Sequence, residues 1–591
     1  MKETSTNIRI VKGVPGGDTS PVACGFTVKR DTLCPMRDGI TLAVDVLFPD
    51  GHGPFPVILE RTPYDKNNAA HAGAEDFAKR GYVVVLQDVR GRFNSDGDFD
   101  PYRQEHQDGF DTINWIAEQS WCDGNVGMVG GSYSGQTQWY AASQAPKALK
   151  AIVPIESPPG NSFVNEPFVG GIMIMAQLEW NAFMARRSSD NSKMNDLLTK
   201  HKNYFDVLPV SKAATASGAN CPWWENTWLD HPTFDSFWES CGYEQFWSKM
   251  TVPALNVSGW WGLNFYGAPR NFVGMRAQAA TKEAREGQRL VIGAWPHNVN
   301  GQRVLSGLDL GPDAVTGLRG YQLKFFDYYL KGKIDNTLKD DPRVHVFVVG
   351  ANEWWEADTW PLPNTKPTPL YLHSKGKANS HRGDGAVSFD KPTTEPADTY
   401  LSNPLDPVKS HWDIREGPVD DRVLTERPDI LCYTSETLVE AVDVVGDISA
   451  VLYASSSAKD CDWHIRLVDV HPDGSARFMC HGALRSRFRN GFDKNELLAP
   501  NEITRFDIDM TATGIRFLPG HKIRIEIASS WFNRFDRNLQ TGAENWMRDE
   551  GEPVVATQNV FHDADHPSHI ILPIIPRGTV QPINKELGTN E

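Results

Sequence analysis

Short apolar runs set the rhythm of the first quarter of the chain. Val57-Ile58-Leu59, Val83-Val84-Val85-Leu86 and Ile152-Val153 are continuous, as strands buried on both faces require. Thr41 to Phe48 alternates instead, with Leu42, Val44, Val46 and Phe48 sharing one face, which predicts a half-buried strand. Helical stretches such as Asp108 to Gln119 lie between them. Alternation of this kind predicts a mainly parallel sheet covered by helices. Residues 160–250 break the pattern. They show no buried-strand run; Ile172 to Arg187 and Met194 to Tyr204 read as helices, and tryptophan-rich loops follow. Strands resume at Ala254-Leu255-Asn256-Val257 and Leu290-Val291-Ile292, so a helical cap is inserted into an α/β domain.

Beyond residue 343 the pattern becomes almost wholly β. Val344 to Val349, Ala450 to Ala454, His464 to Val470, Ile503 to Met510 and Lys522 to Ala528 are strand runs, with turns at Pro472-Asp473-Gly474 and Pro519-Gly520. Many short strands joined by turns predict a β-sandwich. The expected division is an α/β domain over 1–159 and 251–342, a cap over 160–250 and a β-sandwich over 343–591.

A length of 591 residues fits two or three domains rather than one core. The formal charge of −16 argues against a nucleic-acid partner, which needs a basic face. No apolar stretch reaches the roughly 18 residues of a membrane span, and no secretory leader is legible after Met1. Eight cysteines stand singly with no Cys-x-x-Cys pair, as expected of reduced thiols in a cytoplasmic protein.

The chemistry concentrates at Val126-Gly127-Met128-Val129-Gly130-Gly131-Ser132-Tyr133-Ser134-Gly135, an apolar strand that breaks on glycines and enters a helix. This is the sequence form of a nucleophile elbow, in which small neighbours let a serine stand on a sharp turn. The helix beyond, Gln136 to Ala145 before Pro146, aims its N-terminal amides at developing negative charge. A strict Gly-x-Ser-x-Gly is absent, because Ser134 stands two residues after Ser132 and Gly135 three after. Ser134 is the rival nucleophile, but its position inside the first helical turn fits a cap better.

Val126 to Trp139 resembles the cocaine-esterase-like (CocE/NonD) hydrolases, relatives of the α-amino-acid ester hydrolases and the Xaa-Pro dipeptidyl peptidases. So do Arg61-Thr62-Pro63-Tyr64-Asp65-Lys66, Gln87-Asp88-Val89-Arg90-Gly91-Arg92 and Trp295-Pro296-His297. The likeness continues through His231-Pro232, Asp235, Pro519-Gly520-His521-Lys522-Ile523-Arg524 and Arg534-Phe535-Asp536-Arg537-Asn538, and so spans nearly the whole chain. It implies an α/β-hydrolase domain, an inserted helical cap and a C-terminal jelly roll. It also implies Ser132 as nucleophile, His297 as general base, and the Tyr64 hydroxyl with the Tyr133 backbone N–H as oxyanion donors.

One departure stands out. The family's acid is an aspartate directly after a Gly-Trp-aromatic run, and here Gly259-Trp260-Trp261 is followed by Gly262. Three explanations compete. The carboxylate has moved to Glu156, at the end of the neighbouring strand on the same rim; Asn264 holds the imidazole without charge; or the triad is incomplete and the fold binds a ligand.

Other clusters read as bland. Asp96-Gly97-Asp98-Phe99-Asp100 has calcium-loop spacing but Pro101 where the loop needs glycine. His562, Asp563, Asp565, His566 and His569 precede a final strand, so no metal ligand set and no cofactor are expected there. Eight tryptophans (180, 223, 224, 228, 238, 247, 260 and 261) lie in or beside the cap. They read mainly as packing, with Trp260 and Trp261 as candidate substrate contacts in an apolar or aromatic pocket. No acidic cluster of the kind that α-amino-acid ester hydrolases use for a substrate ammonium is legible. The expected activity is serine hydrolysis of an ester, with an amide second. An acyltransferase using the same acyl-enzyme and a catalytically weak binding protein are the alternatives. The expected partner is a small molecule, and a homo-oligomer is left open.

Overall fold

The buried apolar runs lie side by side in one sheet of 12 strands. The computed structural model describes residues 7–581 apart from 15–18, 69–72, 189–203, 217, 219–220, 335–336 and 411–416. Seven consecutive strands of this sheet are parallel: Val83–Asp88, Phe55–Thr62, Cys122–Gly131, Leu149–Ile155, Leu255–Trp261, Arg289–Pro296 and Val344–Val348. Antiparallel strands flank them, Thr41–Pro49 at one end and Glu353–Ala357 at the other. Helices Glu105–Ala117, Tyr133–Ser143 and Leu318–Lys331 pack on the sheet. At Gly127 a side chain would collide with Phe326 and Leu330 of the last of these, so glycine is what lets helix and strand meet closely.

Thr41–Pro49 is not half-buried as its alternation predicts; it is buried along almost its whole length. It pairs with Phe26–Pro35 on one side and Val83–Asp88 on the other, and the exposed edge passes to Phe26–Pro35. The polar position that mimics a solvent face, Asp45, is inside and compensated. Its carboxylate meets Lys66 Nζ at 3.2 Å and Arg30 at 2.8 Å.

Between the strands that end at Ile155 and begin at Leu255 lies the inserted segment. Residues 172–187 do not form one helix. Phe168–Val169 and Ile172–Met173 make a small hairpin turned by Gly170 and Gly171, both at positive φ, and the helix covers only Ala176–Met184. The apolar residues of the hairpin are committed to another partner, the β domain. Met173 N–H donates to Asp536 Oδ1 at 2.9 Å, and Arg485 N–H donates to the Gly170 carbonyl at 2.9 Å. Of the second expected helix, residues 194–203 lie outside the described residues. Short helices carry much of the remainder, and Trp224, Trp228 and Trp238 are fully buried among them.

The C-terminal region is a largely antiparallel β domain. Its longest strand, Val442–Ser456, pairs with Thr504–Phe517, Ala556–Phe561 and His569–Ile575. Buried Arg485 crosslinks it internally, bonding Asp462 at 2.8 Å and Asp536 at 3.1 Å. His562 is absorbed by this domain, bonded to Asp398 and Glu395 away from His566 and His569. Among the described residues no helix is long and apolar enough to cross a membrane.

Candidate active site

Ser132 sits between the strand ending at Gly131 and the helix beginning at Tyr133, with φ 57° and ψ −127°. That conformation is strained for a residue with a side chain and persists only where the surroundings fix it. Here Ser132 N–H donates to the Ile155 carbonyl at 2.9 Å. The Ser132 carbonyl accepts from the Gly135 and Gln136 amides at 2.8 and 3.1 Å. A Cβ at Gly130 would lie 2.6 Å from Ser134 Cβ, and one at Gly135 would lie 2.9 Å from Ser157 Cβ. Gly135 therefore supplies the close approach that a glycine one residue earlier gives in the strict motif. Ser134 is buried within the first helical turn, while the Ser132 hydroxyl makes no capping bond and faces the cavity.

Tyr64, just beyond strand Phe55–Thr62, brings its hydroxyl to 3.4 Å from Ser132 Oγ. Trp180 of the inserted helix donates its indole N–H to the same phenolic oxygen at 3.2 Å. The Tyr133 backbone N–H also faces that oxygen. Burial pushes the Tyr64 phenol upward, so it stays protonated and can donate.

His297 directly follows strand Arg289–Pro296 and lines the cavity that holds Ser132. Its Nδ1 lies 3.5 Å from Glu156 Oε2. Glu156 is buried, with φ 45°, just past the end of strand Leu149–Ile155. Its Oε1 is fixed by Ser258 Oγ at 2.5 Å and the Gly259 N–H at 2.7 Å, while Oε2 accepts from the Asn264 N–H at 3.4 Å and faces the imidazole. Asn264 is drawn into the same network, donating its side-chain amide to the Glu156 carbonyl at 3.2 Å.

Gly262 explains the space. A Cβ there would fall 2.1 Å from both carboxylate oxygens of Glu156. The volume next to residue 262 is thus already filled by a carboxylate that arrives from the neighbouring strand.

The cavity over Ser132 encloses about 320 Å³. Trp260 and Trp261, expected at the substrate, do not line it. They are buried and line a smaller neighbouring cavity, and the Trp260 indole donates to the Phe347 carbonyl at 2.6 Å. Trp180 and Phe183 provide its aromatic wall, with Ile174 and Leu263 beside them. Two acids that no motif marked, Glu166 and Glu179, also face it. They come from irregular chain and a short helix, so only the fold brings them to the serine.

Burial pushes the Glu166 carboxyl up from 4.5 to about 7, against the pull of His297 and a hydrogen bond from Asn264. An unfolded chain releases this proton near pH 4.5 and the folded chain near 7. Stability contributed by the protonated acid is therefore lost as pH rises through that window. The cost is complete above pH 7 and is on the order of 3 kcal/mol. Glu166→Gln is expected to melt higher than the parent at pH 8 and level with it at pH 4, in thermal denaturation scans. Parallel melting curves across that range would refute this assignment.

Comparison with known proteins fits this geometry. Residues 38–299 match the X-Pro dipeptidyl-peptidase (S15 family) model, and residues 336–571 match the X-Pro dipeptidyl-peptidase C-terminal non-catalytic domain. The cocaine esterase of Rhodococcus sp. (strain MB1 Bresler) is 37% identical over 582 residues, covering 93% of this chain and 99% of that protein. A selenomethionine-labelled α-amino acid ester hydrolase superposes with a TM-score of 0.81 at 25% identity, covering 95% of this chain and 98% of the other. A CocE/NonD family hydrolase from Staphylococcus aureus shares the fold, with a TM-score of 0.68 at 20% identity over 95% of this chain and all of the other. With the elbow serine in place and an esterase alike along almost the full length, the chain belongs to the CocE/NonD hydrolase family and is a serine hydrolase.

Proposed function

We propose that the protein hydrolyses an ester of a small, largely apolar or aromatic acid or alcohol through an acyl-enzyme on Ser132. His297 takes the Ser132 proton as Oγ attacks the carbonyl carbon. The tetrahedral oxyanion is met by the Tyr64 hydroxyl and the Tyr133 N–H. His297 returns the proton to the leaving alcohol, and water repeats the sequence to release the acid. Glu156 holds the imidazole in the tautomer that presents Nε2 to the serine and stabilises the imidazolium. The observation that carries this reading is the meeting of a strained serine, a hydroxyl donor and a carboxylate-backed histidine around one cavity. The aromatic wall of Trp180 and Phe183 supports the apolar substrate class.

A fluorophosphonate probe tests the nucleophile. Stoichiometric labelling at neutral pH, mapped to Ser132 and lost in Ser132→Ala, is expected; no labelling would leave a binding protein. Tyr64→Phe is expected to lower kcat on the order of 10²–10³-fold with little change in KM. The Trp180 bond to the phenolic oxygen polarises its O–H toward the substrate. A Tyr64→Phe variant with unchanged kcat on a chromogenic ester would remove the hydroxyl from the mechanism.

A further inference from the structure

Far from the serine in the fold's topology, two strands of the β domain bring together residues the hydrolytic reaction does not use. Asp462–Val470 runs into His471 and the Pro472-Asp473-Gly474 turn, and Lys522–Ala528 pairs antiparallel with it. The register sets Val470 opposite Lys522, so His521, one residue earlier, lands beside Asp469 and His471. His521 Nδ1 lies 2.9 and 3.0 Å from the two Asp469 oxygens, and His471 Nε2 lies 3.3 Å from Oδ2. The two imidazole rings are 4.4 Å apart. One nitrogen or oxygen from each of the three residues falls within 4.8 Å of the others.

These separations have a meaning. Tetrahedral coordination with metal–nitrogen bonds of about 2.0–2.1 Å places neighbouring ligand atoms about 3.3 Å apart. The two contacts around Asp469 are already near that value. The side chains of Asp469, His471 and His521 are 7%, 22% and 12% exposed, so the cluster is shielded yet open to water on one side. Asp473, held by the Ser475 amide and hydroxyl, adds negative charge close by. The guanidinium beside that turn, Arg422, is engaged by Asp420. We propose that Asp469, His471 and His521 form a binding site for a divalent transition-metal ion of the Zn²⁺ class, with water in the fourth position. Two imidazoles and one carboxylate favour such an ion over Ca²⁺ or Mg²⁺.

None of the three residues lines the Ser132 cavity, so the ion would act as a staple between a strand end and the start of its neighbour. An imidazole must be deprotonated to ligate a metal, so binding is expected to tighten as pH rises.

Full-length protein stripped with a chelator and titrated with Zn²⁺ at about pH 7.5 is expected to bind one equivalent per chain. Co²⁺ in its place is expected to give visible bands of four-coordinate geometry. His471→Ala and His521→Ala should each weaken binding about 100-fold or more, while ester turnover stays at the parental level and reports intact folding. The proposal is overturned if the parent binds no Zn²⁺. It is equally overturned if the double variant His471→Ala/His521→Ala binds as well as the parent.

Discussion

Glu156→Gln is expected to lower kcat on a chromogenic ester on the order of 10³–10⁴-fold, about as far as His297→Ala. The reason lies in how the carboxylate is held. Oε1 accepts from the Ser258 hydroxyl and the Gly259 amide, so the glutamine carbonyl oxygen would occupy that corner. Its NH₂ would then face His297 Nδ1, where Oε2 now stands. A donor in that position selects the imidazole with its proton on Nε2, which cannot accept from Ser132. Size and packing hardly change, so circular dichroism and melting temperature should stay close to those of the parent. A variant that turns over ester at nearly the parental rate would show that the acid is elsewhere.

Gly262→Asp is expected to lower turnover on the order of 10³-fold, although it restores the residue type the family resemblance leads one to look for there. The new Cβ would lie 2.1 Å from both oxygens of Glu156, and a second buried carboxylate would share its space. The informative protein is the pair Glu156→Gly with Gly262→Asp. Glycine suits the φ of 45° at position 156, and its missing side chain empties the volume that the introduced aspartate needs. The double variant is expected to regain at least about tenfold in kcat/KM over Gly262→Asp alone, because the two positions are coupled. A double variant no better than the single one would mean that residue 262 cannot carry the acid in this chain.

Much of this site could be read from the residues. The Gly130-Gly131-Ser132 break after an apolar run marks the elbow because few other arrangements need glycines there. His297 and Tyr64 were legible through short motifs beside strand ends. Glu156 could be named only as one of three explanations for a gap, since strand order across the sheet is not written in local sequence. Glu166 and Trp180 had no signal for their roles at the cavity. Each belongs to the inserted segment, whose course depends on contacts with distant parts of the chain, such as Met173 with Asp536. The same distance hides the course of Ile172 to Arg187, where helix-like apolar spacing serves in part a hairpin packed on another domain. At Thr41–Pro49 a buried ion pair imitated a wet face.

The hairpin at Gly170–Gly171 ties function to architecture. The C-terminal β domain bonds this hairpin through Arg485 and Asp536, and a few residues later the same segment delivers Trp180 to the phenolic oxygen of Tyr64. A domain that lends no residue to the lining of the Ser132 cavity is thereby bonded to the segment whose indole meets the Tyr64 hydroxyl. The two regions are joined through this short segment, so excising the β domain is expected to loosen the Trp180 contact with Tyr64 while leaving the Ser132 turn in the α/β sheet.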